Sequence, residues 1–224
     1  DGLTSRSIMY WAKNDNNIQY KKVREETVSH YIDLTIQNAT EFDFAQVLYQ
    51  MRKDEFVCVS IQKSVWYEYH GNRWYEIDSG NSLRLAISKC MYDIYMKKTQ
   101  DSMEQLQKMD QTEDNYEVLR KRSNKLADLC IFLKKTTWKN NIMREAKELF
   151  YDRDFVNKLN QNPYLLCFNN YVVDFKEKTW RNGQPDDYIS KCTNIDFIPY
   201  KEIKGSETEK DINTFIDQLF PNES

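Results

Sequence analysis

The sequence predicts an α+β fold, mainly helical, with two small antiparallel β-hairpins around residues 55–77 and 164–181. Three observations carry this. Apolar residues recur at spacings of three and four through long stretches of the 224 residues, as in helices with one buried face. In two stretches the period changes, and aromatic and β-branched runs gather around turn-forming residues. Aromatic residues make up 14% of the chain, enough large apolar side chains for a packed core rather than bulk disorder.

The elements follow in order. Residues 7–12 form a short amphipathic turn and residues 14–17 a polar loop. Val23, Val28, Tyr31, Ile32 and Thr35 mark one helix. Thr40 caps the next, with Glu41 and Asp43 placed favourably for the helix dipole. Phe44, Val47, Leu48 and Met51 form its apolar stripe. Residues 56–59 are strand-like, and 65–69 and 73–77 flank the three-residue loop His70-Gly71-Asn72, a hairpin signal. The aromatic residues of that hairpin serve either cross-strand packing or stacking on nucleobases. A turn at 78–82 starts a helix whose apolar face carries Leu83, Ile87, Cys90 or Met91, and Ile94. Residues 101–115 hold five acids against one lysine and read as a solvated connection or exposed helix.

The helix expected over 116–135 has Leu119, Leu126, Leu129, Cys130 and Leu133 on one arc, with Lys121, Lys125 and Lys135 opposite. Residues 116–148 contain nine Lys or Arg and four acids, nine minus four giving +5, the strongest basic segment of the chain. Two readings stand: a solvated helix face, or a surface that tracks phosphates. The candidate DNA contacts are Arg120, Lys121, Arg122, Lys125, Lys134, Lys135, Trp138, Lys139 and Arg144, joined by Trp66, Arg73 and Trp74 of the first hairpin. Thr136-Thr137 breaks the helix, Ile142, Ala146, Leu149 and Phe150 pack another, and Asp154 starts a short one ending near Pro163. Residues 164–168 and 171–175 surround Asn169-Asn170, since Asn tolerates the left-handed conformation of a two-residue turn. A short strand at 178–181 and a final amphipathic helix at 208–220, with Ile212, Phe215, Ile216 and Leu219 inward, complete the chain.

Composition excludes several functions. The five glycines, Gly2, Gly71, Gly80, Gly183 and Gly205, form neither G-x-G-x-x-G nor a P-loop, so neither standard nucleotide cradle is encoded. His30 and His70 are the only histidines, which leaves little for metal or general-base chemistry. Five dispersed cysteines with no C-x-x-C pair read as free buried thiols rather than zinc ligands. No apolar run reaches the roughly 20 residues of a membrane span, and no signal peptide is visible. A net charge of −3 predicts no generic adhesion to nucleic acid, so DNA contact would need a local patch. The chain starts without Met and stops just after the last helix, and is read as a fragment of a longer polypeptide.

Several segments, in this order, resemble the domain that precedes the superfamily 3 helicase motor in poxvirus-type primase–helicases of nucleocytoplasmic large DNA viruses and in phage and plasmid primases. Trp11-Ala12-Lys13 is similar to the viral branch. Tyr49 with Lys53-Asp54-Glu55-Phe56-Val57-Cys58 resembles the approach to the first strand. Trp66-Tyr67-Glu68-Tyr69 and Asn72-Arg73-Trp74 resemble the family's aromatic hairpin. Residues 164–175 resemble L-L-x-F-x-N-G-V-x-D-L, departing at Asn170 where the family usually has Gly, and residues 185–191 follow where it has an acidic D-(Y/F)-x-(T/S)-K stretch.

The resemblance implies a connecting module between two catalytic units. Residues 1–50 would be a helical lead-in from an upstream primase, 51–200 the helicase-preceding α+β domain, and 201–224 a connector toward the motor. It implies no catalytic residue, metal or cofactor in this chain, since ATP and Mg²⁺ would belong to the absent motor. The expected partners are single-stranded or forked DNA, further copies of the parent in a hexameric ring, and the flanking primase and helicase domains, without membrane. The expected location is inside an infected host cell. The alternatives are a protein-interaction spacer without DNA contact, and a metal-dependent nuclease using acids such as Asp174, Asp186 and Asp187.

Overall fold

The computed structural model describes residues 5–111 and 115–220. Helix α1 (Ser5–Asp15) fills the segment expected as a turn, and the expected loop at 14–17 shrinks to one residue. That residue is Asn16, whose side chain accepts the backbone N–H of Gln19 and so starts α2 (Asn17–Asn38). Thr40 caps α3 (Glu41–Arg52) as predicted, accepting the Asp43 N–H at 3.3 Å.

The apolar stripes of α2 and α3 meet in one core with α4 (Asn81–Ala86), α5 (Tyr92–Lys108), α6 (Tyr116–Lys134) and α7 (Thr136–Leu149). Phe44 stacks on Tyr95 with centroids 5.8 Å apart, and the Tyr95 hydroxyl pairs with Thr35 Oγ1 at 2.8 Å. Between α4 and α5, residues Ile87–Met91 form a wider turn in which the Tyr92 N–H reaches back to Ile87. An α-helix overshoots by about 40° every four residues. The wide turn takes up that excess, so Leu83, Ile87, Met91 and Tyr95 all point into the core. Helix α5 continues through the first half of the acidic stretch, and Glu113 and Asp114 lie outside the described residues. The break expected at Thr136-Thr137 falls one residue earlier: Lys135 is extended and α7 begins at Thr136.

The first sheet has the order β1 (Phe56–Ser60), β2 (Val65–His70), β3 (Arg73–Asp78), all antiparallel. Because His70 pairs with Arg73, the connection is the two-residue turn Gly71-Asn72, not the three-residue loop expected. Only Gly71 of the two takes a positive φ, +63°, as in a type II′ turn. Alternation splits the sheet. Phe56, Cys58 and Trp66 face the helical core, while Val57, Trp74, Tyr67 and Tyr69 face α8 (Phe155–Lys158).

The second sheet is smaller, in the order β4 (Leu165–Cys167), β5 (Val172–Asp174), β6 (Thr179–Arg181), again antiparallel. Neither Asn169 nor Asn170 adopts the left-handed conformation expected of them. The Phe168 N–H closes the turn on Tyr171 O at 2.8 Å. Asn170 then holds Phe197 through both its amide atoms, at 2.8 and 2.9 Å. The chain ends in α9 (Tyr200–Ile203) and α10 (Glu207–Leu219). Helix α10 is amphipathic as predicted, but its apolar face is not inward: Ile212, Phe215, Ile216 and Leu219 are all exposed.

Candidate nucleic-acid interface

Most cations of the basic segment sit on α6, a helix about 28 Å long. The structure divides them. Arg120 pairs with Glu117 on the same helix at 3.0 Å. Arg122 reaches Asp33 of α2 at 2.8 Å, where Lys98 of α5 also binds, and Lys125 donates to Gln37 O at 3.2 Å. These two side chains tie α6 to α2. Lys134 donates to Ser88 O and lies 3.6 Å over the Tyr92 ring, which fixes the end of α6 against the wide turn.

The remaining cations are less committed. Among the described residues Lys121, Lys139 and Arg144 make no side-chain hydrogen bond or ion pair, and Lys121 and Arg144 are exposed. Lys135 lies 5.0 Å over the Phe132 ring. At that corner Phe132 and Trp138 stack in parallel, 4.6 Å apart with 5° between their planes. Trp138 also meets Phe44 edge-on, so the pair is half-embedded in the core. The candidate residues therefore form a cationic corner at 132–139 with a second site up α6 at Lys121, rather than one continuous patch.

The hairpin candidates separate differently. Trp66 is fully buried against Phe150 and Trp74 fully buried against Phe155. Neither ring offers a face to a nucleobase, which corrects the stacking alternative for these two residues: alternation sends them to opposite faces of the sheet, one covered by the helical core and the other by α8. The Trp74 indole N–H donates to Pro185 O at 2.8 Å, and its backbone N–H to Ile189 O at 2.7 Å. Arg73 is half-buried, lies 4.6 Å over the Tyr75 ring and reaches Asn194 Oδ1 at 3.4 Å.

Sequence reasoning missed a cavity of about 790 Å³ bounded by α1, α2, the Gly71-Asn72 turn and residues 181–187. Its walls carry Trp11, Tyr20, Arg24, Tyr69, Arg181 and Asp187. Arg24 donates to Met51 O at 2.7 Å and pairs with Asp54 at 3.4 Å. Arg181 grips Asp187 through two bonds of 2.8 and 2.7 Å. Burial, reinforced by Asp187, pushes the Tyr69 hydroxyl far above the usual tyrosine range, and burial with Asp54 raises Tyr20. The wall residues Trp11 and Asp187 are 176 positions apart (187 − 11), and no local pattern announces such a site.

The acids of the nuclease alternative have other duties. Asp174 Oδ1 accepts the backbone N–H groups of Lys176 and Glu177 at 3.0 Å each, and Asp187 is held by Arg181. Among the described residues no group of three or more His, Cys, Asp or Glu is placed to hold a metal ion, and no helix is long and apolar enough to cross a membrane.

The fold defines a mainly helical α+β module with two small antiparallel sheets and a cationic corner between α6 and α7. The chain belongs to the D5 N-terminal-like family, which matches residues 45–221. It is 30% identical over 221 residues to "Putative helicase L207/L206" of Acanthamoeba polyphaga mimivirus, covering 99% of this chain and 22% of that protein. It is 23% identical over 252 residues to "Putative helicase 022R" of Frog virus 3, covering 100% of this chain and 26% of the relative. "Putative primase C962R" of African swine fever virus (isolate Pig/Kenya/KEN-50/1950) is 25% identical over 217 residues, covering 88% of this chain and 22% of the relative. The chain thus spans about a quarter of the length of these relatives.

Proposed function

We propose that this chain is a non-catalytic connecting and assembly domain of a viral DNA-replication primase–helicase. It supports hexamer formation and binds single-stranded or forked DNA without sequence preference, beside an ATP-driven motor outside this chain. The family membership supports the replication role. The observation that carries the DNA part is Lys135 over the Phe132–Trp138 stack, together with Lys121, Lys139 and Arg144, which make no side-chain hydrogen bond or ion pair among the described residues. Lysine and arginine would neutralise phosphates, giving affinity without sequence readout. Fluorescence anisotropy with a labelled single-stranded oligonucleotide at low salt tests it. The expected result is weak binding that is insensitive to sequence and falls as salt rises; no binding at high micromolar protein removes the DNA part.

One observation favours a second reading, a protein-interaction spacer. The exposed row Ile212, Phe215, Ile216 and Leu219 on α10 is the kind of apolar stripe a partner covers. Light scattering on the purified chain separates self-association from a monomer.

A further inference from the structure

The second sheet sets two thiols side by side. Cys167, the last residue of β4, is buried; Cys192, in the loop 190–195, is half-buried and packs on the small core of Cys167, Val172 and Ile189. Two backbone bonds hold the loop along the end of β4, just past the pair: Thr193 N–H to Cys167 O at 2.9 Å, and Asn169 N–H to Ile195 O at 3.0 Å. The Cys192 side chain packs on the same three-residue core that holds Cys167, one residue before the Thr193 N–H that bonds Cys167 O. Each sulfur is also fixed from outside. Cys192 Sγ accepts the Asn194 N–H at 3.4 Å and faces Asn169 Oδ1 at 3.7 Å, while Cys167 Sγ points to Phe168 O at 3.4 Å and Asn72 O at 3.8 Å.

We propose that Cys167 and Cys192 form a disulfide when the protein meets hydrogen peroxide, clamping the loop 190–195 onto β4 reversibly. The other thiols are placed differently. Cys58 and Cys130 are buried in the helical core, where burial raises both, and Cys90 takes an N–H from Arg52 at 3.0 Å. None of these three is described in contact with a second thiol.

The order of events follows from exposure. Cys192 is the accessible partner and reacts first: its sulfur takes one oxygen from the peroxide, giving a sulfenic acid and releasing water. Cys167, pushed up to about 12 by burial and by its neighbour, keeps its proton until it attacks. Its sulfur then bonds to the Cys192 sulfur, the hydroxyl leaves, and the Cys167 proton completes a second water. In sum, two thiols lose two protons and two electrons, and the peroxide is reduced to two waters.

The test uses the full chain. Hydrogen peroxide is added, remaining thiols are alkylated, and the digest is mapped by mass spectrometry without reductant. The expected result is one linked peptide pair joining Cys167 to Cys192, two hydrogens lighter than the sum of its parts. The free-thiol titre falls from five to three and returns with dithiothreitol. Cys192→Ser, a change at a half-exposed loop position, gives no linked peptide at the same peroxide dose. The proposal is overturned if Cys192 is driven to sulfinic acid with Cys167 still free, or if Cys192 links only to another chain.

Discussion

Asn72 Oδ1 accepts the backbone N–H of Gly183 at 2.7 Å, and its Nδ2 donates to Asn169 O at 3.1 Å, so one amide at a hairpin tip joins the first sheet to the second. The bond to Gly183 is buried and the bond to Asn169 partly so, and a Cβ on Gly183 would stand 2.8 Å from Asn72 Cα. Asn72→Ala leaves the buried Gly183 N–H without its partner, at about 1–3 kcal/mol, while the carbonyl of exposed Asn169 can turn to water. Gly183→Ala forces backbone apart and costs about 1–3 kcal/mol. Urea unfolding is expected to show both losses. Hydrogen exchange is expected to place them in residues 164–195 while α2, α3, α5 and α6 keep their protection.

What the sequence made legible follows from what is local. The stripe Phe44, Val47, Leu48 and the Thr40 cap are read within one or two turns of a helix, and the alternation of β2 and β3 within six residues. The failures are tertiary. Asn169 and Asn170 have the right chemistry for a left-handed turn, yet the asparagines that take that conformation are Asn194 and Asn160, and Asn160 Oδ1 collects the N–H groups of Ser190 and Lys191. The apolar spacing of α10 says that one face wants cover but not that this chain supplies it. The Asn72–Gly183 bond and the cavity beside it join positions more than a hundred residues apart, beyond the reach of any local pattern.

Trp74→Phe separates packing from recognition. The change removes the indole N–H bonded to Pro185 O and leaves that carbonyl unpaired, costing about 1–3 kcal/mol. Because the ring is buried against Phe155, its loss is expected to leave oligonucleotide affinity unchanged in the fraction that is folded. Lower thermal midpoint with equal anisotropy is the expected pair of results; a fall in affinity at full folding would restore Trp74 to the interface.

Alkaline pH is expected to weaken the fold through Tyr95 of the helical core and Cys167 of the second sheet. Burial holds the Tyr95 hydroxyl far above its ordinary value of 10.0, and holds Cys167 at about 12 against an ordinary 9.0. Above those ordinary values the unfolded chain releases protons that the folded chain keeps. Stability is therefore whole at neutral pH, starts to fall near pH 9 through Cys167 and near pH 10 through Tyr95, at up to about 1.4 kcal/mol per pH unit for each group. Tyr95→Phe loses the bond to Thr35 and is less stable at neutral pH, but its urea midpoint falls less steeply above pH 10 than that of the parent.

The exposed face of α10 makes an opposite prediction. Phe215 and Ile216 are 58% and 47% exposed, so Phe215→Glu with Ile216→Asp removes little buried area. The urea midpoint of the core is expected to stay within about 0.5 kcal/mol of the parent, as for ordinary surface changes. Any self-association seen by light scattering is expected to weaken. A large loss of stability would mean that α10 packs on its own chain in solution.

The cations of α6 and α7 divide into two testable groups. Arg122 is bound to Asp33 and half-exposed, so Arg122→Ala is expected to cost no more than about 1 kcal/mol of stability. Lys121 and Arg144 hold nothing among the described residues, so Lys121→Glu with Arg144→Glu is expected to leave the unfolding midpoint nearly unchanged while weakening oligonucleotide binding. The salt dependence distinguishes a phosphate contact from a diffuse charge effect. Each lost contact to a single strand lowers the slope of log affinity against log salt by about 0.7. The double variant is therefore expected to show a slope shallower by about 1.4, measured by anisotropy across a salt series. An unchanged slope would place the DNA path elsewhere, with the solvated-face reading then holding for both residues.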